Sequence, residues 1–211
     1  MIIAVDGPAA SGKGTIARAL AAHYKLPYLD TGLLYRAVAQ TLIDHGKDPA
    51  SEHEALAACQ FKDDLFADPR LRSAEAGQAA STVSAFPSVR AALIERQRLF
   101  AAQPGGAVLD GRDIGTVIAP DADAKLFVRA TSQIRAQRRH DELVAGGSRT
   151  SFDQVLRDIK ARDLRDSTRA AAPLRQADDA VLLDTSYMSI ESAIHHAIDI
   201  VESRLKNRRT A

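Results

Sequence analysis

The chain has 211 residues, 45% of them hydrophobic and 26% charged, and a formal net charge of +1. Near-neutrality argues against a broad nucleic-acid footprint, which needs a basic face. No apolar run reaches membrane-spanning length, and the single Cys59 excludes an internal disulfide framework. The expectation is a protein of the reducing cytoplasm, with one substantial core and no nucleic-acid or membrane partner.

The first apolar run, Ile2-Ile3-Ala4-Val5, predicts a buried strand that leads directly into a loop rather than a signal-peptide cleavage region. The loop is Gly7-Pro8-Ala9-Ala10-Ser11-Gly12-Lys13-Gly14-Thr15, and a helix-patterned run follows it through residue 24. Strand, Gly-bounded loop and helix, with Lys at the helix start, form the context that identifies a phosphate-binding P-loop. Gly lets backbone N–H groups face an anion, the helix start adds its dipole, and Lys13 can reach the β- and γ-phosphates of a nucleotide. Gly14 stands where a hydroxyl usually approaches Mg²⁺, so that role passes to Thr15.

Further strands are predicted at 26–29, 107–109, 125–128 and 180–183. Helices are predicted at 13–24, 32–45, 51–59, 70–80, 87–102, 132–145, 151–171 and 189–205. Asp30-Thr31 caps the second helix, Pro87 opens the fifth, and Pro104-Gly105-Gly106 stops it. The alternating order predicts an α/β protein: a three-layer P-loop fold around a central five-stranded parallel sheet with right-handed crossovers. Two segments stand outside this alternation. Residues 46–85 read as a substrate-holding insert and residues 135–171 as a helical lid, both placed to cover a ligand at the carboxyl edge of the sheet. The core of this single domain, 1–211, then comprises about 1–45, 86–134 and 172–211. The basic end, Lys206, Arg208 and Arg209, reads as a solvated helix terminus.

There is no Gly-x-Ser-x-Gly, no His-Glu-x-x-His and no paired cysteine, and His195-His196 and Cys59 read as packing or surface residues. Chemistry therefore centres on phosphate, where catalysis is positioning plus charge stabilisation, and an ionised phosphate acceptor needs no general base. Three further stretches fit that demand. Asp30-Thr31-Gly32 with Tyr35-Arg36 follows the second strand, and Asp110-Gly111-Arg112-Asp113 follows the third. Arg162, Asp166 and Arg169 recur at i, i+4 and i+7, which predicts one helix face. Taken singly, the first is also an ordinary helix cap and the last a ladder of surface ion pairs.

Together with Ala85-Phe86-Pro87-Ser88-Val89-Arg90 and the run from Arg162 to Leu174, these stretches resemble the bacterial cytidylate kinases, a P-loop nucleoside-monophosphate kinase family. The resemblance is motif for motif, in order, and weakest over 46–80. It implies phosphoryl transfer from ATP to CMP or dCMP with Mg²⁺. Gly7 to Thr15 would take ATP, with Thr15 toward the metal. Repulsion between a triphosphate and a monophosphate independently calls for cations to offset it: Lys13, Arg112 and lid arginines among Arg135, Arg138 and Arg139, with Arg138 taken as catalytic. Arg36 and Arg112, with Thr31 nearby, would hold the acceptor phosphate. Ser81, Arg90 and Asp113 would face cytosine, Arg162 and Asp166 the pentose, and Arg169 the phosphate or base side. A carboxylate can accept from the cytosine amino group but meets a lone pair on uracil O4, so CMP is expected over UMP. The family's insert carries a small antiparallel sheet; the short, turn-rich stretch 60–72 implies that this sheet is reduced or absent here. Two other readings remain open: a kinase of the same fold for AMP, UMP or shikimate, and an ATP-occupied regulator whose acceptor arginines would be idle.

Overall fold

The computed structural model describes the backbone of residues 1–210 and side chains through Asn207. Five strands, β1 (Ile2–Asp6), β2 (Tyr28–Asp30), β3 (Ala107–Gly111), β4 (Ala124–Arg129) and β5 (Val181–Asp184), form one parallel sheet in the order β2-β3-β1-β4-β5. The central β1 pairs on both sides and is covered on both faces, which is why its sequence is an uninterrupted apolar run. Helices α1 (Lys13–Tyr24), α2 (Thr31–Asp44), α3 (Glu52–Ala57), α4 (Ala74–Val83), α5 (Pro87–Ala101), α6 (Ser132–Ala145), α7 (Phe152–Thr168) and α8 (Ile190–Thr210) complete the chain. The strand order and the covering helices agree with the α/β fold expected from the sequence. Arg208 and Arg209 lie outside the described side chains.

One sheet face packs Ile3, Val5, Leu126 and Val128 against Ile16 and Leu20 of α1 and Ala197 and Val201 of α8. The other packs Ala4 and Leu109 against Ala101 of α5 and against Ile114 and Ile118 in a short helical turn after β3. Two smaller clusters lie apart from the sheet. Leu34, Val38 and Leu42 of α2 join Ala80 and Val83 of α4 and Val89 and Leu93 of α5. Ala136 of α6 meets Val155 and Ile159 of α7, with Ala10 of the loop against them.

Local chemistry explains the departures from the predicted bounds. Lys25 adopts φ 55 and Leu26 N–H donates to Ala21 O at 2.9 Å, so the end of α1 consumes the residues that would open the second strand, and β2 starts at Tyr28. The predicted helix over 70–80 breaks at Ser73, whose hydroxyl accepts from Ala76 N–H at 3.0 Å and so starts α4 afresh. Among the described residues, 46–86 contain helices and short turns and no strand, so the insert sheet is absent. The predicted 151–171 helix stops at Thr168, because Arg169 turns extended and donates through Nε to Ala172 O at 2.8 Å.

In-register pairing sets Asp30 opposite Asp110 and Asp6 opposite Gly111, so the carboxyl ends of β2, β3 and β1 finish at one level. Asp6 is buried and accepts from the N–H groups of Ile114 and Gly115, both at 2.8 Å, which pins the turn after β3 to the central strand. Burial pushes its carboxyl up to about 7 despite those donors. The unfolded chain releases this proton near the ordinary Asp value of about 3.9, so the folded chain holds an extra proton between the two values and loses stability as pH rises through that window. Asp6→Asn removes the titration. Urea unfolding at about pH 5 and about pH 8 should therefore show wild type losing stability relative to the variant at the higher pH; a pH-independent difference contradicts this.

Candidate active site

The loop between β1 and α1 is shaped by backbone conformations that follow from its residues. Gly7 has φ +154, and a Cβ there would lie 2.0 Å from Val128 O of β4, so only glycine lets the chain leave the sheet at this point. Ala10 at φ 58 and Gly12 at φ 89 are left-handed, the geometry that turns successive N–H groups into a concavity. Gly12 caps α1 with no side-chain acceptor, and while the Thr15 N–H donates to Gly12 O at 3.1 Å, the Lys13 and Gly14 N–H groups are left for a ligand.

The loop is braced from outside. Arg135 and Arg138 of α6 donate to Ala9 O at 3.2 Å and to Ser11 O at 3.4 Å, and Thr185 Oγ1 donates to Ser11 O at 2.9 Å. Arg138 is further held on Thr185 O at 2.7 Å. Arg135 is buried and forked onto Asp163 of α7 at 2.8 and 2.5 Å, which ties the two helices together.

A cavity of about 650 Å³ opens in front of the loop, lined by Ala9, Ala10, Gly12, Lys13, Gly14 and Thr15 on one side. Arg36 lines it from α2, Gly77 from α4, Arg112 from the end of β3, and Arg138, Arg139, Arg162 and Arg165 from α6 and α7. Eight cationic side chains face it against four acidic ones. Their crowding registers in the titration of the groups. Burial and then the Arg112 charge push Arg162 down to about 9 and hold Lys13 below the ordinary lysine range. Burial and then Arg139 lower Arg36. An anion bound among these cations would offset that repulsion, so the cavity is an anion site by its electrostatics.

Acidic residues sort these cations. Asp110 lies 3.8 Å from Lys13 Nζ, and its other oxygen accepts from Tyr28 Oη at 2.7 Å; burial and the nearby Asp30 raise its carboxyl. Thr31 Oγ1 donates to Asp110 O at 2.8 Å, so Thr31 sits buried beneath the cavity as a brace between α2 and β3. Asp166 takes Arg112 Nε at 2.8 Å and stands 3.8 Å from Arg162. Asp113 is ion-paired to Arg90 and lies 3.7 Å from Arg169, while the Arg90 guanidinium covers the Tyr35 ring at 5.5 Å.

The structure thus brings Lys13, Thr15, Arg36, Ser81, Arg112, Arg138 and Arg162 to one cavity. Arg90, Asp113 and Arg169 form a buried cluster next to Arg112, and do not line the cavity. The helix-face expectation needs correction at one position. Arg162 and Asp166 share a face, but Arg169 caps the end of α7 and turns to Asp113. Within the loop, Gly7 and Ser11 act as framework, Gly7 against β4 and Ser11 fully buried. Cys59, with its thiol pushed up to about 11 by burial, and the exposed His195 and His196 lie elsewhere.

The sequence reading named Asp110 and Arg165 only within their motifs, with no role of their own, and passed over Gly77. Gly77 carried a signal: glycine inside a helix costs about 1 kcal/mol and needs a reason. The reason is Arg36, whose Nη2 would sit 2.8 Å from a Cβ at that position. Arg36 lies across α4 there and donates to Leu71 O at 2.6 Å and Ser73 O at 3.1 Å.

A parallel sheet of this order, with a P-loop ahead of α1 and a cation-lined cavity at its carboxyl edge, defines a P-loop kinase. Solved structures agree at the level of the fold. A gluconokinase from Sinorhizobium meliloti superposes with a TM-score of 0.55 at 16% identity, covering 99% of this chain and 95% of that one. An uncharacterized protein from Eubacterium ventriosum gives 0.53 at 15% identity, covering 96% and 99%. Sequence is more specific. The family model described as cytidylate kinase matches residues 3–203, and the chain belongs to the cytidylate kinase family. It is 58% identical to the cytidylate kinase of Methylocella silvestris over 206 residues, 96% of this chain and 94% of the relative. Its identity to that of Rhodopseudomonas palustris strain BisB18 is 59% over 204 residues, 96% of each chain.

Gly77→Ala should displace the Arg36 guanidinium, a flexible end that can move, while alanine improves the helix. The KM for the acceptor should rise several-fold with the thermal midpoint unchanged or higher; an unchanged KM removes Arg36 from acceptor binding.

Proposed function

We propose that the chain transfers the γ-phosphoryl group of ATP to CMP or dCMP, giving ADP and CDP or dCDP. The observation that carries this reading is the single cavity onto which Lys13 of the loop and a second group of cations, Arg36, Arg112 and Arg162, all open. Two anionic tails can be brought together there, and family membership specifies the acceptor. The reading treats 46–85 as the insert over the acceptor and 135–171 as the lid over the donor, with the chain working as a cytoplasmic monomer in pyrimidine nucleotide metabolism.

In this mechanism the loop N–H groups and Lys13 hold the β- and γ-phosphates of ATP. Arg36 and Arg112 hold the acceptor phosphate in line, its ionised oxygen attacks phosphorus, and the bond to the β-phosphate oxygen breaks to release ADP. Arg138 and Arg112 stabilise the charge on the phosphoryl group in transit. Oxygen donors on the same cavity, the Thr15 hydroxyl with the Asp30 and Asp110 carboxylates, suit a hard cation. Mg²⁺ held at Thr15 would supply further neutralisation of the phosphates. Arg162 and Asp166 take the pentose, Ser81 and Arg90 donate to cytosine, and Asp113 accepts from its amino group, with Arg169 closing the cluster. Acceptor binding would have to open the Arg90–Asp113 pair toward the cavity.

ADP release with Mg·ATP and each of CMP, dCMP, UMP and AMP tests the reading. CMP and dCMP should turn over fastest, and preference for AMP or UMP contradicts it. Asp113→Asn should cut the CMP to UMP ratio of kcat/KM by roughly tenfold or more, the scale of one lost charge-assisted hydrogen bond; an unchanged ratio removes Asp113 from base selection.

A further inference from the structure

Of the arginines facing the acceptor side of the cavity, Arg165 of α7 is held differently from the rest. Arg112 and Arg162 share Asp166, and Arg36 rests on backbone carbonyls. Arg165 instead donates through Nη1 to the hydroxyl of Ser81, on α4, at 2.6 Å. Both residues line the cavity, and Ser81 is 2% exposed.

That bond fixes the polarity of Ser81. A guanidinium has donors only, so the Ser81 oxygen must offer a lone pair, and its one proton stays available for a different partner. Donation from a cation also polarises the hydroxyl and makes it a stronger donor in turn. A serine accepting from Arg165 is therefore set to give its proton to an acceptor atom on a molecule in the cavity.

We propose that Arg165 is a positioning residue for the acceptor base: it holds Ser81 as a directed hydrogen-bond donor to a ring acceptor atom of the pyrimidine. This rests on the cytidylate kinase reading given above. The same bond joins α7 to α4, so the lid helix sets the base-reading hydroxyl of the insert. Arg165 acts on the base through Ser81 and touches no reacting atom.

A double-mutant cycle tests this on the full chain, using Arg165→Met, which keeps the aliphatic stem, Ser81→Ala and the double variant. Arg165→Met should raise the KM for CMP about tenfold, with the KM for ATP within twofold of wild type. In the Ser81→Ala background the same change should add less than twofold. Arg165→Lys, which retains a donor, should recover most of the loss, and this rescue separates positioning from a folding defect. An equal rise in both backgrounds overturns the proposal, because Arg165 would then contact the substrate directly. So does an unchanged KM in Arg165→Met, or failure of Arg165→Lys to rescue. Wild type that phosphorylates AMP or UMP but not CMP overturns the underlying reading instead, an outcome seen before any variant is made.

Discussion

Unbalanced positive charge around one cavity is the constraint that organises this protein. Two unit charges about 5 Å apart repel by roughly 3 kcal/mol at an effective dielectric near 20. The fold nevertheless directs eight cations and only four acids at the same space. Burial and mutual repulsion push Arg162 and Lys13 down from their ordinary values, a cost that an anionic ligand would reverse. The rest of the fold holds these groups where repulsion alone would scatter them.

Carboxylates do part of that holding, and backbone carbonyls and hydroxyls hold Arg36, Arg138 and Arg165. Asp166 on α7 gathers Arg112 and Arg162, Asp110 at the end of β3 stands beside Lys13, and Asp163 locks Arg135 between α6 and α7. Asp113 takes Arg90 and Arg169 in a buried cluster next to Arg112. Because α7 carries Arg162, Asp163, Arg165 and Asp166, one helix touches the loop brace, Arg112 and Ser81 of α4. A movement of that helix would reach all three.

Asp6 shows the same economy in the core. Its two N–H acceptor contacts fix the turn that follows Arg112 and Asp113 to the central strand, so site geometry and sheet register are set together. The glycines at the site serve close approach: Gly7 to the β4 backbone, Gly77 to Arg36, and Gly111 to Thr31, whose Oγ1 would lie 2.6 Å from a Cβ.

The strands, the helices, the loop and most of its charged partners were legible in the sequence, because apolar period, Gly and Pro positions and caps are local signals. Ile2 to Val5 followed by Gly7 to Thr15 specifies strand, cradle and helix with no knowledge of distant residues. What it left open depends on contacts across long separations. Arg165 and Ser81 are 84 positions apart, and the hydrogen bond between them has no local signature. Arg169 departs from the helix face of Arg162 and Asp166 because its guanidinium is drawn to Ala172 O and to Asp113, a choice made by neighbours that only folding supplies. The sequence by itself determined which chemistry the chain can hold; tertiary structure decided which cation each carboxylate keeps, since that is a competition among groups brought together only when the sheet is formed.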